Sequence, residues 1–469
     1  MGEKMKRKRL VIIGGDAAGM SAASQAKKRN KDLDVLVLER GDYISYAACG
    51  MPFMVSGVID DPGSLLILTP EKARANRGID VRTRHEVISV DLQNRFVTVK
   101  AWKAKGAGKV QADEGQTLKE AYDGLIFATG ARPQLPAAKG VNLDGVMVLR
   151  DYADGLALKD RRDVKDVVIV GAGLVGLEMA ESFRRLNCNV TMLKRSDGPL
   201  LDMEPALSEI VEEELVRNGC VLLKGSPLEE IVGDGDGKVV AVRAGGETRR
   251  ADLVLLATGV APNSEPAREA GLALGVKDAI LVNEHLMTST NGVFAAGDCV
   301  SQIHRVSHKE VFVSQALAAN RSGKIAGANV AEYLSGGDKF STHPGTMATV
   351  LTKVFELGVG ICGLTVSEAK AAGFETGFAW IKGHSRSHYY PGGSPLFVGL
   401  VYEQKTGRLL GGQIVGKEGV AKRLDVLVTA LSAKMDLDAL SRLDLSYCPP
   451  YSPPWDPVLI AASVALKSI

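Results

Sequence analysis

The chain has 469 residues, 45% of them hydrophobic and 24% charged, with a formal net charge of +2. That length allows two or three domains, each with its own core, and the near-balance of charge removes any general electrostatic reason to bind nucleic acid. No apolar run reaches the ~18 residues of a membrane span, and the run Leu10–Ile13, closed by Gly14 and Gly15, is too short for a secretory pattern.

The basic cluster from Lys4 to Arg9 reads as a solvated leader. Arg9–Gly15 then reads as a short buried strand ending in glycine, followed by a helix over Ala17–Arg29 and a second strand over Asp34–Glu39. The turn between them, Gly14-Gly15-Asp16-Ala17-Ala18-Gly19, fits G-x-G-x-x-G except that Asp16 takes the second glycine position. Glycines there let the chain turn tightly and the helix pack on the strand, while the helix N-terminus faces a pyrophosphate. Glu39 is placed to bond ribose hydroxyls. The next stretch, Tyr43 to Phe53, carries Cys49 in a loop leading into a helix start, with Ser45 upstream as a candidate contact for cofactor and substrate. The helix dipole and free N–H groups should acidify a thiol placed there. The plain alternative for Cys49 is a small buried apolar residue.

Pro70–Arg77 reads as a short surface helix, strands alternate over Ile79–Lys100, and the polar stretch Lys103–Glu120 reads as an exposed hairpin loop or insertion. Asp123–Gly130 is a strand ending in Ala128-Thr129-Gly130, broken by Ala131-Arg132-Pro133; Thr129, Gly130 and Arg132 are cofactor candidates.

A second unit opens at Asp166–Gly171, and its turn, Gly171-Ala172-Gly173-Leu174-Val175-Gly176, matches the fingerprint without exception. A helix follows over Leu177–Leu186 and a strand over Asn189–Leu193. Glu178 either faces a nicotinamide or is an ordinary helix-face charge. After the strand, where an acid would suit a free 2′-hydroxyl, stand Lys194 and Arg195. They suit a 2′-phosphate, favouring NADPH over NADH, unless they are a solvated basic pair. Asp252–Gly259 repeats the strand ending in A-T-G, so the two units are related at domain scale. Thr290–Val300 is a short buried strand ending in Gly297-Asp298. Asp298 either accepts from a sugar-chain hydroxyl or caps the helix that begins near Ser314.

From about Ser341 no glycine fingerprint recurs. Strand-like runs (Ala348–Thr352, Thr376–Lys382, Leu396–Glu403, Leu409–Val415) mix with helices near Ser367 and over Val420–Ala433. The tail Tyr447–Pro457 holds five prolines and three aromatics, a stiff segment rich in contact area, for which a partner subunit is a natural surface. The expected fold class is α/β: two Rossmann-like dinucleotide domains plus a C-terminal α+β dimerisation domain. The expected boundaries are 1–155 and 285–340 for FAD, 156–284 for NAD(P), and 341–469 for the interface. The six cysteines are scattered, without C-x-x-C or zinc spacing. That pattern predicts a reducing compartment, the cytoplasm, and argues against a dithiol redox centre. His384 and His388 are spaced i, i+4 with no helix evident, so no metal site is expected.

Along nearly its whole length the chain resembles the flavin disulfide reductase superfamily. The single cysteine in S-Y-A-A-C-G-M-P-F resembles the group of coenzyme A disulfide reductases, NADH oxidases and peroxidases, and NAD(P)H persulfide or polysulfide reductases. The resemblance implies FAD, NADPH or NADH, coenzyme A as a further ligand, a small-molecule disulfide or persulfide substrate, and a homodimer. It makes Cys49 the redox-active residue. Tyr389, in His388-Tyr389-Tyr390-Pro391-Gly392, and Tyr447 are then the tyrosines that reach the cysteine of the other subunit. Lys28 and Arg77 map to basic residues that meet the phosphates of coenzyme A; their alternative is a solvated charge. Two departures stand out. Ala17 replaces the histidine of the peroxidases and water-forming oxidases, which counts against oxygen chemistry, and Ala48 replaces the asparagine that often precedes the cysteine. No rhodanese-type domain, such as some persulfide-reducing relatives append, is expected. Cys448 is assigned to packing, with approach to Cys49 of the other subunit as the alternative. An NAD(P)H oxidase and a redox-sensing flavoprotein acting on a protein partner are the competing functions.

Overall fold

A computed structural model of the chain describes residues 7–102, 116–161 and 163–469. Its first sheet has five strands, with Arg9–Ile13 in the centre. Asp34–Leu38 lies on one side of that strand and Gly124–Phe127 on the other, both parallel to it. Ile79–Arg82 and Val293–Ala295 complete the edges. A parallel sheet covered on both faces needs near-continuous apolar strands, and Leu10, Val11, Ile12, Leu36 and Val37 are fully buried. The helix Ala17–Arg29 is rich in small residues and ends in Lys27, Lys28 and Arg29, which suit the negative end of its dipole.

A second five-stranded parallel sheet centres on Asp166–Val170, flanked by Asn189–Leu193 and Leu253–Leu256. Between Leu223 and Leu253 a three-stranded antiparallel sheet is inserted. The chain then returns to the first sheet: Val293–Ala295 pairs with Leu125–Phe127. The helix Ala316–Leu334 lies so close along Ala17–Arg29 that a Cβ on Gly323 or Gly327 would overlap the carbonyls of Ala18 and Ala22. The last unit is a five-stranded antiparallel sheet backed by the helices Val420–Ser432 and Pro457–Ala465. Among the described residues no helix is long and apolar enough to cross a membrane.

Several sequence expectations need correction. Gln116–Ala121 is a strand paired with Phe96–Ala101, not loop; the rest of the expected insertion, 103–115, lies outside the described residues. Of the expected leader, Lys4 to Met5 and Lys6 lie outside them too, while Lys8 pairs with Asp123 at 3.2 Å and Arg9 with Glu120 at 2.7 Å. Glu120 sits on that same strand, so the half-buried Arg9 is held by the sheet, while Lys8 stays exposed as expected of a solvated leader.

Candidate active site

The two glycine turns are built on one contact each. Gly14 has φ +107° and Gly171 φ +115°, a region that penalises any side chain. A Cβ on Gly14 would overlap the carbonyl oxygen of Ala128, and one on Gly171 that of Ala257. Each first glycine thus backs onto the A-T-G segment of its own unit. Gly19 and Gly176 likewise leave no room between the helix and the carbonyls of Gly14 and Gly171. Beyond the turns the units differ. Gly173 and Gly259 face open space, with nothing within 4 Å of a built Cβ. In the first unit the corresponding position holds Asp16, whose Oδ1 accepts from the Tyr46 backbone N–H at 3.3 Å.

A cavity of about 560 Å³ opens in front of the first turn, within the ~300–1,000 Å³ range of small-molecule and cofactor sites. Of the residues named from sequence, Gly14, Glu39, Thr129, Gly130 and Arg132 line it. Gly15, Ala18, Gly19, Ser45, Gly297 and Asp298 are not in its wall. Glu39 Oε2 accepts from Gly15 N–H at 2.7 Å and Oε1 from Gly41 N–H at 2.6 Å, while burial pushes its carboxyl up. Arg132 is tied to Glu265 at 2.6 Å, and Thr129 donates to the Asn263 carbonyl at 2.5 Å. Ser45 adopts φ 45° and donates its backbone N–H to Gly15 at 3.1 Å. The cysteine loop is therefore fastened to the glycine turn at two successive residues, Ser45 and Tyr46.

Asp298 neither stands alone nor caps a helix backbone. Its Oδ2 accepts from Arg150 at 2.9 Å and from the Ser314 hydroxyl at 2.6 Å, and its Oδ1 is buried with no partner among the described residues. An unpaired buried oxygen is costly unless a ligand donates to it. That orphan oxygen, the glycine-bare turn and the cavity together fit an FAD held by the first unit. The open space before Gly173 and Gly259 fits a second dinucleotide. Sequence reasoning missed Arg150, which also donates to Ala131 O at 2.8 Å; no motif marks it.

Cys49 lies in the short turn Ala48–Gly50, immediately before the helix Met51–Val55, and is exposed in the single chain. The expected acidification is not what surrounds it. Partial burial, then the charges of Glu178 and Asp298, push the thiol up, and Asp16 adds to them. A helix of five residues has little dipole to set against three carboxylates. Glu178 comes from the second unit and Asp298 and Asp16 from the first, so both units act on this one sulfur. Glu178 accepts from the Thr352 hydroxyl at 2.8 Å, and burial pushes its own carboxyl up. All six cysteines are free, and only Cys49 and Cys448 are exposed.

Tyr389 and Tyr447 meet through their hydroxyls at 2.8 Å, both exposed on the C-terminal unit. What holds them is the fully buried Arg423, which donates to both oxygens of Asp456 at 3.0 Å and to the Ser385 carbonyl at 3.3 Å. Ser387 N–H donates to Pro449 O at 3.2 Å, joining the two tyrosine loops. Arg77 Nη1 donates to the Ser24 hydroxyl at 2.5 Å. Lys28 is four residues from Ser24 on the same helix face, so the two basic residues share a surface. Lys194 is half-buried and reaches the Ser196 carbonyl at 3.4 Å; Arg195 is exposed.

Residues 8–323 match the family described as pyridine nucleotide-disulphide oxidoreductase, and residues 349–457 match its dimerisation domain. The chain is 37% identical, over 99% of both chains, to the NAD(P)H coenzyme A polysulfide/persulfide reductase of Pyrococcus horikoshii. It is 34% identical, over 98% of this chain and 99% of the other, to an NADH oxidase of Methanocaldococcus jannaschii. Among solved structures, a NAD-dependent persulfide reductase from A. fulgidus superposes with a TM-score of 0.90 at 33% identity, covering 98% of this chain and 83% of that one. With two dinucleotide turns, one exposed cysteine between them and a dimerisation unit behind, the chain belongs to the FAD-dependent pyridine nucleotide-disulphide oxidoreductase family.

Proposed function

We propose that the chain reduces coenzyme A disulfide or a coenzyme A persulfide or polysulfide at Cys49, using NADPH in preference to NADH. The observation that carries this reading is that Cys49 stands free and exposed in a loop fastened through Ser45 and Tyr46 to the first glycine turn. The proposed division of labour is FAD on residues 1–155 and 285–340, the nicotinamide nucleotide on 156–284, and the subunit interface on 341–469. An FAD bound there would supply the hydride-accepting and two-electron chemistry that links a reduced nicotinamide to disulfide cleavage.

The chain's own residues do the rest. Glu39 and Asp298 hold sugar hydroxyls. Glu178 faces the nicotinamide, and Lys194 with Arg195 meets a 2′-phosphate. The Cys49 thiolate attacks one sulfur of the substrate disulfide, forming a mixed disulfide and expelling the first thiolate. Two electrons then break that bond, returning Cys49 as thiolate and releasing the second thiol. In the Tyr389–Tyr447 pair one hydroxyl donates to the other, which leaves the accepting tyrosine's proton free for a leaving sulfur of the partner subunit's site. Lys28 and Arg77 supply charge for the substrate's phosphates. With all six cysteines free, the cytoplasm is the proposed compartment.

The test is Cys49→Ser in the intact dimer. The variant should retain FAD and lose turnover of coenzyme A disulfide and persulfide; retained turnover ends the assignment. The likeness to an NADH oxidase gives a second reading. Oxygen consumption faster than disulfide turnover, measured side by side, would favour it.

A further inference from the structure

We propose that Asp16 sets the pH range over which the chain holds FAD, because its carboxyl faces the dinucleotide's pyrophosphate from a position where the second unit keeps a glycine. The inference rests on the assignment of FAD to the cavity before the first turn. Position 16 is the second glycine of the fingerprint, and its counterpart Gly173 has nothing within 4 Å of a built Cβ. That emptiness is what lets a backbone approach a pyrophosphate. Asp16 fills it and lines the cavity instead. It is the N-cap residue of the helix Ala17–Arg29, yet its side chain makes no capping bond; it turns to accept from Tyr46 N–H. The carboxyl thus lines the cavity from the N-cap position, between the cysteine loop and a helix N-terminus of the kind that receives the phosphates of a dinucleotide.

No cation neutralises it. Among the described residues no ion pair within 4 Å involves Asp16; Arg150, whose charge opposes the rise of its carboxyl, is already paired with Asp298 at 2.9 Å. The other titratable groups facing it are Glu39 from the end of the second strand, and Tyr46 and Cys49 from the cysteine loop. Burial pushes the Asp16 carboxyl up to about 6, with the charge of Glu39 adding and Tyr46 N–H, Arg150 and Ala17 N–H opposing. Glu39 does not share the role: each of its oxygens accepts one backbone bond, from Gly15 and Gly41, and what capacity remains is assigned to the sugar hydroxyls rather than the phosphates. A pyrophosphate beside Asp16 disfavours the ionised carboxyl, and a protonated one can donate to a phosphate oxygen. FAD binding should then take up a proton wherever the free form is ionised. Affinity is flat below the free-form pKa and falls above it by up to about tenfold per pH unit.

The dissociation constant of FAD, read from flavin fluorescence on dilution of the full-length holoenzyme between about pH 5 and pH 8, tests this. The native chain should weaken about tenfold or more between pH 6 and pH 8, whereas Asp16→Asn, of the same shape without the charge, should stay flat. Asp16→Gly, which restores the fingerprint, should be flat as well. A pH slope equal in native chain and both variants overturns the role of Asp16 and leaves the cavity assignment standing. Failure of the native chain to hold FAD at any pH overturns both.

Discussion

In the first unit Gly14 backs onto Ala128 and Gly19 onto the Gly14 carbonyl; in the second, Gly171 backs onto Ala257 and Gly176 onto the Gly171 carbonyl. Read two residues past the last glycine, the units part. Ser21 in the first donates to Asn320 at 2.8 Å and is absorbed into packing against the returning helix. Glu178 in the second turns to Thr352 and to the cysteine. After the second strand stand Glu39 in one unit and Lys194 in the other. Contacts between backbone and backbone tolerate no variation, so the two turns share them. Positions beyond those backbone contacts differ, and under the proposed function Glu39, Glu178 and Lys194 among them are where each unit addresses its ligand.

Alanine at the first glycines strikes the shared part and should have the largest effect. Each replacement forces a side chain into positive φ, at about 1–2 kcal/mol, and into a carbonyl, at about 1–3 kcal/mol more. Gly14→Ala should yield protein without FAD, whereas Gly171→Ala should keep FAD but fail to bleach it with NADPH. Flavin content and anaerobic titration measure both; equal loss of FAD in the two would mean that the units do not act separately. The next effect lies in the part that differs. Replacing Lys194 and Arg195 together by alanine removes charge-assisted bonds to a 2′-phosphate, worth about 1.5–3 kcal/mol together at this solvent-screened position. The KM for NADPH should rise roughly tenfold to a hundredfold while that for NADH stays within about twofold. An equal change in both would make the pair a solvated surface feature.

Much of this contrast is legible in the chain. The helix Ala17–Arg29 and the strand Asn189–Leu193 are found where periodicity and glycine spacing put them. Such signals are local, and each is written in consecutive residues. What the sequence hides is whatever depends on residues far apart. The strand Leu357–Gly363 contains three glycines and is not among the strand-like runs expected above; two of them are there because Val420 and Leu424 of the covering helix fill the space a Cβ would take at Gly358 and Gly360. Arg423 looks like a solvated helix charge until Asp456, more than thirty residues on, is found beside it. The state of Cys49 is hidden for the same reason. The helix start is visible in sequence, but Glu178 and Asp298 reach the thiol only through the fold.

The smallest of the expected effects, and the sharpest test of which unit governs the cysteine, comes from the two carboxylates that reach Cys49. Glu178 is the charge that weighs most on the thiol after burial, and its sign raises the Cys49 pKa. Glu178→Gln keeps a group able to accept from Thr352 and removes the negative charge. The Cys49 pKa should fall, because the largest charge that raises it is gone. Ionisation of the thiol therefore sets in at lower pH, and its alkylation at neutral pH should speed up roughly threefold to tenfold. The rate ratio between the two proteins should be largest and constant below both pKa values, neutral pH included, and fall to one above the original pKa, so the gain is read on the acid side of the titration. Asp298 gives the comparison its other arm: Asp298→Asn removes a smaller charge effect from the first unit and should shift the alkylation profile less, in the same direction. If Glu178→Gln left the profile where it was while Asp298→Asn moved it, control of the thiol would belong to the FAD side alone, and the second unit would act on Cys49 only through the electrons it delivers.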